Sequence, residues 1–156
     1  MEARQNSKTG IRVIPPVIFI VALAAAFLAN WFWPIRLLPD AVRYSLGPVL
    51  VIASFAVVPS VLRAFKRANT PFDTRRAANA LVTDGPFRYS RNPGYLAMIV
   101  LCVGIAVIAD NAWVVVTLIA ASVALHRYVV LAEERHLEAR FGEEYRKYKS
   151  RVRRWL

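Results

Sequence analysis

Two polar segments hold nearly every side chain that could do chemistry. The first is Leu81-Val82-Thr83-Asp84-Gly85-Pro86-Phe87-Arg88-Tyr89-Ser90-Arg91-Asn92-Pro93-Gly94-Tyr95. The second opens at Glu133-Glu134-Arg135-His136-Leu137 and continues through Phe141, Tyr145 and Tyr148 to Arg151-Val152. Glu134, Leu137 and Phe141 recur at helical spacing, so Glu134 points where the apolar stripe points and Glu133 sits at its edge. A carboxylate at the head of a buried stripe needs a cationic partner. Either Arg91 or Arg127 forms a salt bridge with it, or it receives the ammonium or hydroxyl groups of a bound cofactor. Arg91 lies just before Pro93, at a helix start. It is either a snorkelling arginine that sets topology or an anion clamp beside helix N-terminal amides.

The other polar residues narrow the options. Cys102, the one cysteine, falls inside an apolar run, which leaves no internal disulfide and no thiolate metal site; no metal is expected. All six glycines are isolated and no GxG occurs, which excludes a soluble dinucleotide-type fingerprint. Gly142 interrupts a helical pattern at a cost of about 1 kcal/mol relative to alanine, and so marks a close approach or a break. Tyr95, Tyr145 and Tyr148 read as interface anchors, and His126 and His136 as interfacial rather than catalytic. General bases are few.

Apolar helices must position these segments. The composition is 57% hydrophobic and 20% charged, and the charges gather in blocks between long uncharged runs. Val13 to Trp33 carries no charge; at ~1.5 Å per residue it crosses a hydrocarbon core of roughly 30 Å. A cleaved signal peptide is the rival reading, but the run is too long and ends in bulky aromatics. Tyr44 to Leu62 forms a second span, which Pro48 and Pro59 should kink or trim. The polar loop 63–92 keeps Phe72, Leu81, Val82, Phe87 and Tyr89, so it should fold against something. The runs 93–109 and 111–130 meet at Asp110-Asn111. An aspartate at the centre of one long helix would be costly, so a tight hairpin with a polar tip is expected. In the tail helix, 131–150, Leu137, Phe141, Tyr145 and Tyr148 share a face, and Glu143 and Lys147 form an i,i+4 pair.

Basic residues orient the spans. Arg4, Lys8 and Arg12 precede the first, seven Lys or Arg fall in loop 63–92, and nine follow from Arg127 onward. The 34–43 loop has only Arg36 and Arg43, and the hairpin tip has none. Both termini are therefore expected on the cytoplasmic side. The expected architecture is a single all-α integral membrane domain over 1–156. It has about four transmembrane helices, the third and fourth a tight hairpin, and a cytoplasmic C-terminal amphipathic helix. The net charge of +11 suits anionic lipid headgroups, whereas a nucleic-acid-binding domain would not carry uncharged runs of this length.

The order LVTDGPFRYSRNPGY, apolar hairpin, EERHLEARFGEEYRKYKSRV resembles the isoprenylcysteine carboxyl methyltransferase family and its phospholipid methyltransferase relatives. The resemblance covers residues 70–153; the first two spans match only in general character. It implies an S-adenosylmethionine-dependent methyltransferase of the bacterial inner (plasma) membrane, with the cofactor in a cytoplasmic pocket between loop, hairpin and tail helix. By that resemblance, Leu81, Val82 and Phe87 line the adenine side. Asn92, Pro93 and Tyr95, in the segment that Arg91 opens, hold the methionyl end, and Glu133 or Glu134 completes the grip. Arg91 and Arg151 match arginines near the acceptor carboxylate. Asn92 stands where the family usually has histidine, and Arg153 where it usually has proline.

Methyl transfer from a sulfonium is an in-line displacement that a dry, aligning pocket can accelerate without a metal. A carboxylate acceptor arrives ionised and needs cations, which Arg91 and Arg151 could supply. An amine acceptor must lose a proton and needs a base. The scarcity of bases favours a lipophilic oxygen or sulfur acceptor, such as an isoprenylcysteine-type carboxylate. The alternatives are a phosphatidylethanolamine N-methyltransferase, although the GxG of some such enzymes is missing here, and a non-enzymatic membrane adaptor on the same scaffold.

Overall fold

The computed structural model describes residues 14–71 and 79–156. Arg4, Lys8, Arg12, the expected span start at Val13, and Phe72, Arg75 and Arg76 of the polar loop lie outside the described residues.

Helix α1 (Pro15–Phe32) starts at two prolines, whose missing amide protons cost nothing in a first turn. Helix α2 (Asp40–Arg67) runs unbroken for 28 residues through Pro48 and Pro59. It extends past the apolar run at both ends. Lys66 and Arg67 join its last turn, where cations suit the helix dipole, so the polar loop is shorter than the sequence reading has it. Helix α3 (Pro93–Ala109) and helix α4 (Trp113–Leu125) form the hairpin. A π-turn, His126–Val130, carries α4 directly into α5 (Leu131–Arg151). Three helical stretches, Pro15–Phe32, Asp40–Arg67 and Trp113–Arg151, are long and apolar enough to cross a membrane, and α3 is a shorter apolar helix. Among the described residues there is no strand.

The hairpin tip is wired to the α1–α2 connection. Asp110 adopts the left-handed conformation at φ 49°. Its Oδ1 accepts the amides of Leu37 and Leu38 at 2.9 and 3.1 Å. Arg43 donates from Nε and Nη2 to the Ile108 carbonyl at 3.2 and 3.0 Å. Asn111 Nδ2 reaches the Ala26 carbonyl at 3.3 Å, and Trp113 Nε1 the Trp33 carbonyl at 2.7 Å. The polar tip is tolerated because other helices satisfy it.

Helix α2 packs along α3, and α1 along α4. The α2–α3 crossing is close because it runs through two glycines. A Cβ on Gly104 would sit 3.0 Å from the Val51 amide and 3.1 Å from the Gly47 carbonyl, and one on Gly47 would overlap Ile108. The main apolar core joins Phe19 and Ala26 of α1, Cys102 of α3, and Val114, Leu118 and Leu125 of α4.

The tail departs from its expected form. It continues α4 instead of starting anew, and it breaks at Gly142, whose φ of 52° and ψ of −118° no helix contains. Across that break Lys149 Nζ reaches Glu138 at 3.2 Å, so 143–151 bends back toward the first half. Glu143 pairs with Arg146 at 2.9 Å rather than with Lys147, the i+3 neighbour being as close on a helix as the i+4.

Gly104→Val should force α2 and α3 apart at a cost of about 1–3 kcal/mol. Thermal unfolding in detergent should show a clear drop in Tm. Gly94→Ala, where an added Cβ meets nothing within 4 Å, should leave Tm unchanged.

Candidate functional site

The short 3₁₀ turn Gly85–Arg88 delivers the chain to α3. Gly85 takes φ 61°, which glycine adopts without a Cβ penalty. The turn buries Phe87 against Val61 and Ala64 of α2, edge-to-face with Phe65 at 5.5 Å, and Val82 packs on the same cluster. Tyr148 Oη donates to the Phe87 carbonyl at 2.8 Å, which ties the turn to α5.

Past α5 the chain becomes extended at Val152 and runs back over residues 90–92. The Arg91 amide donates to the Arg153 carbonyl at 3.0 Å. The Arg154 carbonyl accepts Asn92 Nδ2 at 2.9 Å and Ser90 Oγ at 3.3 Å. The Arg154 guanidinium grips both oxygens of Glu134 at 2.8 Å. Arg91 Nη1 stands 3.3 Å from Glu134 Oε1, with each of these side chains only 9% exposed.

Electrostatics follow from this arrangement. Burial pushes the Glu134 carboxyl up, but the Arg154 hydrogen bonds and the charges of Arg91 and Arg154 outweigh it and hold it below the ordinary range. Burial and the Glu134 charge push the Tyr145 phenol, which accepts a 3.5 Å contact from Arg91, up to about 12. Tyr145 and Tyr148 both keep their phenolic protons, and Tyr148 is the one that donates, to the Phe87 carbonyl.

Beside this clamp lies a cavity of about 360 Å³. Its walls come from Pro15 and Pro16 at the start of α1, Val61 and Phe65 of α2, Phe87, the Arg91–Tyr95 segment, Met98, and Glu133 of α5. Tyr95 Oη donates to Glu133 Oε2 at 3.0 Å. Burial pushes the Glu133 carboxyl up to about 7; the Tyr95 bond opposes this, and the neighbouring Glu134 charge adds to it. Arg91 Nε is buried and lacks a hydrogen-bond partner among the described residues. No cluster of three His, Cys, Asp or Glu that could hold a metal occurs among the described residues.

The expected site residues divide into two groups. Phe87, Arg91, Asn92, Pro93, Tyr95 and Glu133 converge on the cavity. Leu81, Val82, Glu134 and Arg151 do not line it. Val82 backs Phe87, and Glu134 is taken by the arginines. Arg151 is exposed and donates from Nε to the Lys147 carbonyl at 3.2 Å. Of the two cations proposed for Glu134, Arg91 is a partner and Arg127 is not. The stronger partner, Arg154, escaped the sequence reading because a chain reversal after α5 leaves no periodic signal. Phe65 and Met98 were missed because they look like ordinary membrane-helix residues. Asn92, in the histidine position, holds the C-terminal strap. His126 and His136 lie away from the cavity.

Arg154→Ala should leave Glu134 with Arg91 alone and cost about 2–3 kcal/mol, less than the about 3–5 kcal/mol for a fully unpaired buried charge. Glu134 titrates below its unfolded value, so its stabilisation is present above the ordinary carboxylate range and fades as pH falls through its folded value. Tm measured against pH should therefore show a smaller acid-side loss in Arg154→Ala than in the wild type.

Comparison with known proteins places the chain in a family. Residues 42–144 match the family model described as phospholipid methyltransferase. An uncharacterized protein of Haemophilus influenzae is 32% identical over 62 residues, which make up 40% of this chain and 98% of that one. No solved structure matches. The family match runs from the first turns of α2 through both hairpin helices and past Glu133 and Glu134, and takes in most of the cavity wall. With more than half of its length matched on a frame of apolar helices, the chain belongs to the phospholipid methyltransferase family of membrane methyltransferases.

Proposed function

We propose that the protein transfers a methyl group from S-adenosylmethionine to a lipophilic acceptor at the cytoplasmic membrane face. One observation carries the reading: an apolar cavity pairs an anion, Glu133, with a cation, Arg91, that keeps an unused buried donor. Its size falls in the range of about 300–1,000 Å³ typical of small-molecule sites. When bound, S-adenosylmethionine supplies an electrophilic methyl group on a sulfonium. Its ammonium suits Glu133, its carboxylate suits Arg91, and its cationic and aromatic portions suit the rings of Phe65 and Phe87. The free amides in the first turn of α3 add positive potential beside Arg91. The apolar walls exclude water, and Tyr95 orients the Glu133 carboxyl. The charge asymmetry of the loops supports the cytoplasmic face.

The acceptor has two readings. A carboxylate of the isoprenylcysteine type would rest on Arg91 in place of the methionyl carboxylate, because Arg151 does not line the cavity. An amine headgroup, as in phosphatidylethanolamine, draws support from Glu133. In that reading Glu133 faces the acceptor amine instead of the methionyl ammonium, and a carboxyl that titrates near neutrality can accept the proton an amine must lose.

Glu133→Gln should weaken S-adenosylmethionine binding about 10- to 100-fold by calorimetry in detergent, the worth of a charge-assisted hydrogen bond. Wild-type affinity should fall as pH drops below about 7, because protonation removes the charge that attracts the ammonium; the variant should be flat. Equal affinity and equal pH profiles would overturn the assignment. Labelled methyl given to total membranes identifies the acceptor: a base-labile ester supports the carboxylate, and methylated headgroup amines support the alternative.

A further inference from the structure

A second concavity, of about 710 Å³, lies on the other side of the hairpin and plays no part in the site above. Its walls are apolar, with Ile99 and Val103 from α3 and Ile119 from α4, and His126, Arg127 and Trp155 close one end. We propose that this groove holds one anionic phospholipid of the leaflet nearest the candidate site, with an acyl chain between the helices and the phosphate at Arg127 and His126.

Three features point to that occupant. The first is length. From Val115 to His126 the groove follows α4 for roughly 16 Å at ~1.5 Å per residue, about half of a hydrocarbon core of roughly 30 Å. That is the depth of one leaflet, which fits an acyl chain anchored at its boundary. The second is the chemistry of the closed end. Arg127 is exposed and has no ion-pair or hydrogen-bond partner among the described residues. His126 Nδ1 is buried and likewise unpartnered. Phosphate oxygens would pair with the exposed Arg127 guanidinium beside the His126 ring, whereas a headgroup that also carries an ammonium brings a like charge toward Arg127. The third is Trp155, whose ring centroid stands 6.5 Å from that of His126. An indole at the end of an apolar groove sits naturally at headgroup level. The π-turn that begins at His126 swells the helix where the headgroup would rest.

The groove also reaches the clamp. Trp155 follows Arg154, whose carbonyl holds Asn92 and whose guanidinium holds Glu134. A lipid seated against Trp155 braces the strap and stabilises the folded chain by mass action.

The test uses the full chain, purified in detergent, delipidated and followed by native mass spectrometry. No methyl donor is added, so its outcome is independent of the methyl-transfer reading. Phosphatidylglycerol should bind with one tight site, and phosphatidylcholine more weakly. Arg127→Gln should weaken phosphatidylglycerol binding about fivefold, as expected for one basic residue at the headgroup level, and leave phosphatidylcholine unchanged. Ile119→Trp, which fills the groove from an exposed position, should weaken both lipids. Should that variant fail to fold, Arg127→Gln alone decides, since its side chain is at the surface. Inorganic phosphate should not displace the lipid. Equal binding of the two lipids, wild-type affinity in Arg127→Gln, or displacement by phosphate alone would each overturn the proposal.

Discussion

Glu134 lies in the first turn of α5, out of water and facing the start of α3. Taking a carboxylate into such a place costs several kcal/mol unless cations and hydrogen bonds replace its hydration. Arg91 covers one side, and Arg154, 20 residues further along the chain, covers the other with a two-point grip. For Arg154 to arrive, α5 must break and the chain must reverse. Gly142 supplies the break, and extended backbone at Val152 completes the return. Once the strap is down, its carbonyls take up the Arg91 amide, Asn92 and Ser90, and the entry to α3 is set. The cavity exists because that entry is held in one place.

The opposite end of the bundle supports the same geometry by other means. Asp110, Asn111 and Trp113 each spend a polar atom on the α1–α2 region, so the hairpin cannot slide relative to the first two helices. The glycine crossing of α2 and α3 then sets their separation. This lets α2 reach beyond the apolar zone and place Val61 and Phe65 opposite the Pro93–Tyr95 turn. Rigid helices, rather than loops, thus carry most of the cavity wall, which favours precise positioning of a small ligand.

Two adjacent glutamates have been given different electrostatic lives. Glu134 is a fixed anion that holds the structure together. Glu133, one residue away, faces the cavity, accepts the Tyr95 hydroxyl and is pushed toward neutrality. Neighbouring carboxyls whose environments drive their titration apart are the pattern by which one site separates a structural charge from a responsive one.

Local pattern determined much of this protein. Uncharged runs of membrane-crossing length and a polar Asp110-Asn111 tip follow from residue spacing alone, because desolvation acts on each segment separately, whereas the apolar stripe from Leu137 to Tyr148 is interrupted by the break at Gly142. The spacing also brought Arg91 and the Glu133-Glu134 pair into view as candidates, and the family resemblance added Asn92 and Tyr95. Which glutamate faces the cavity was decided only in three dimensions. Both lie near the same stripe, and the choice depends on where a distant guanidinium arrives. The same holds for Arg154, invisible beyond a glycine break and a reversal, and for Phe65, whose place on the cavity needs α2 to continue past its last apolar turn. Periodicity reports what a segment buries; it carries no record of what another segment, brought there by a turn, will set against it.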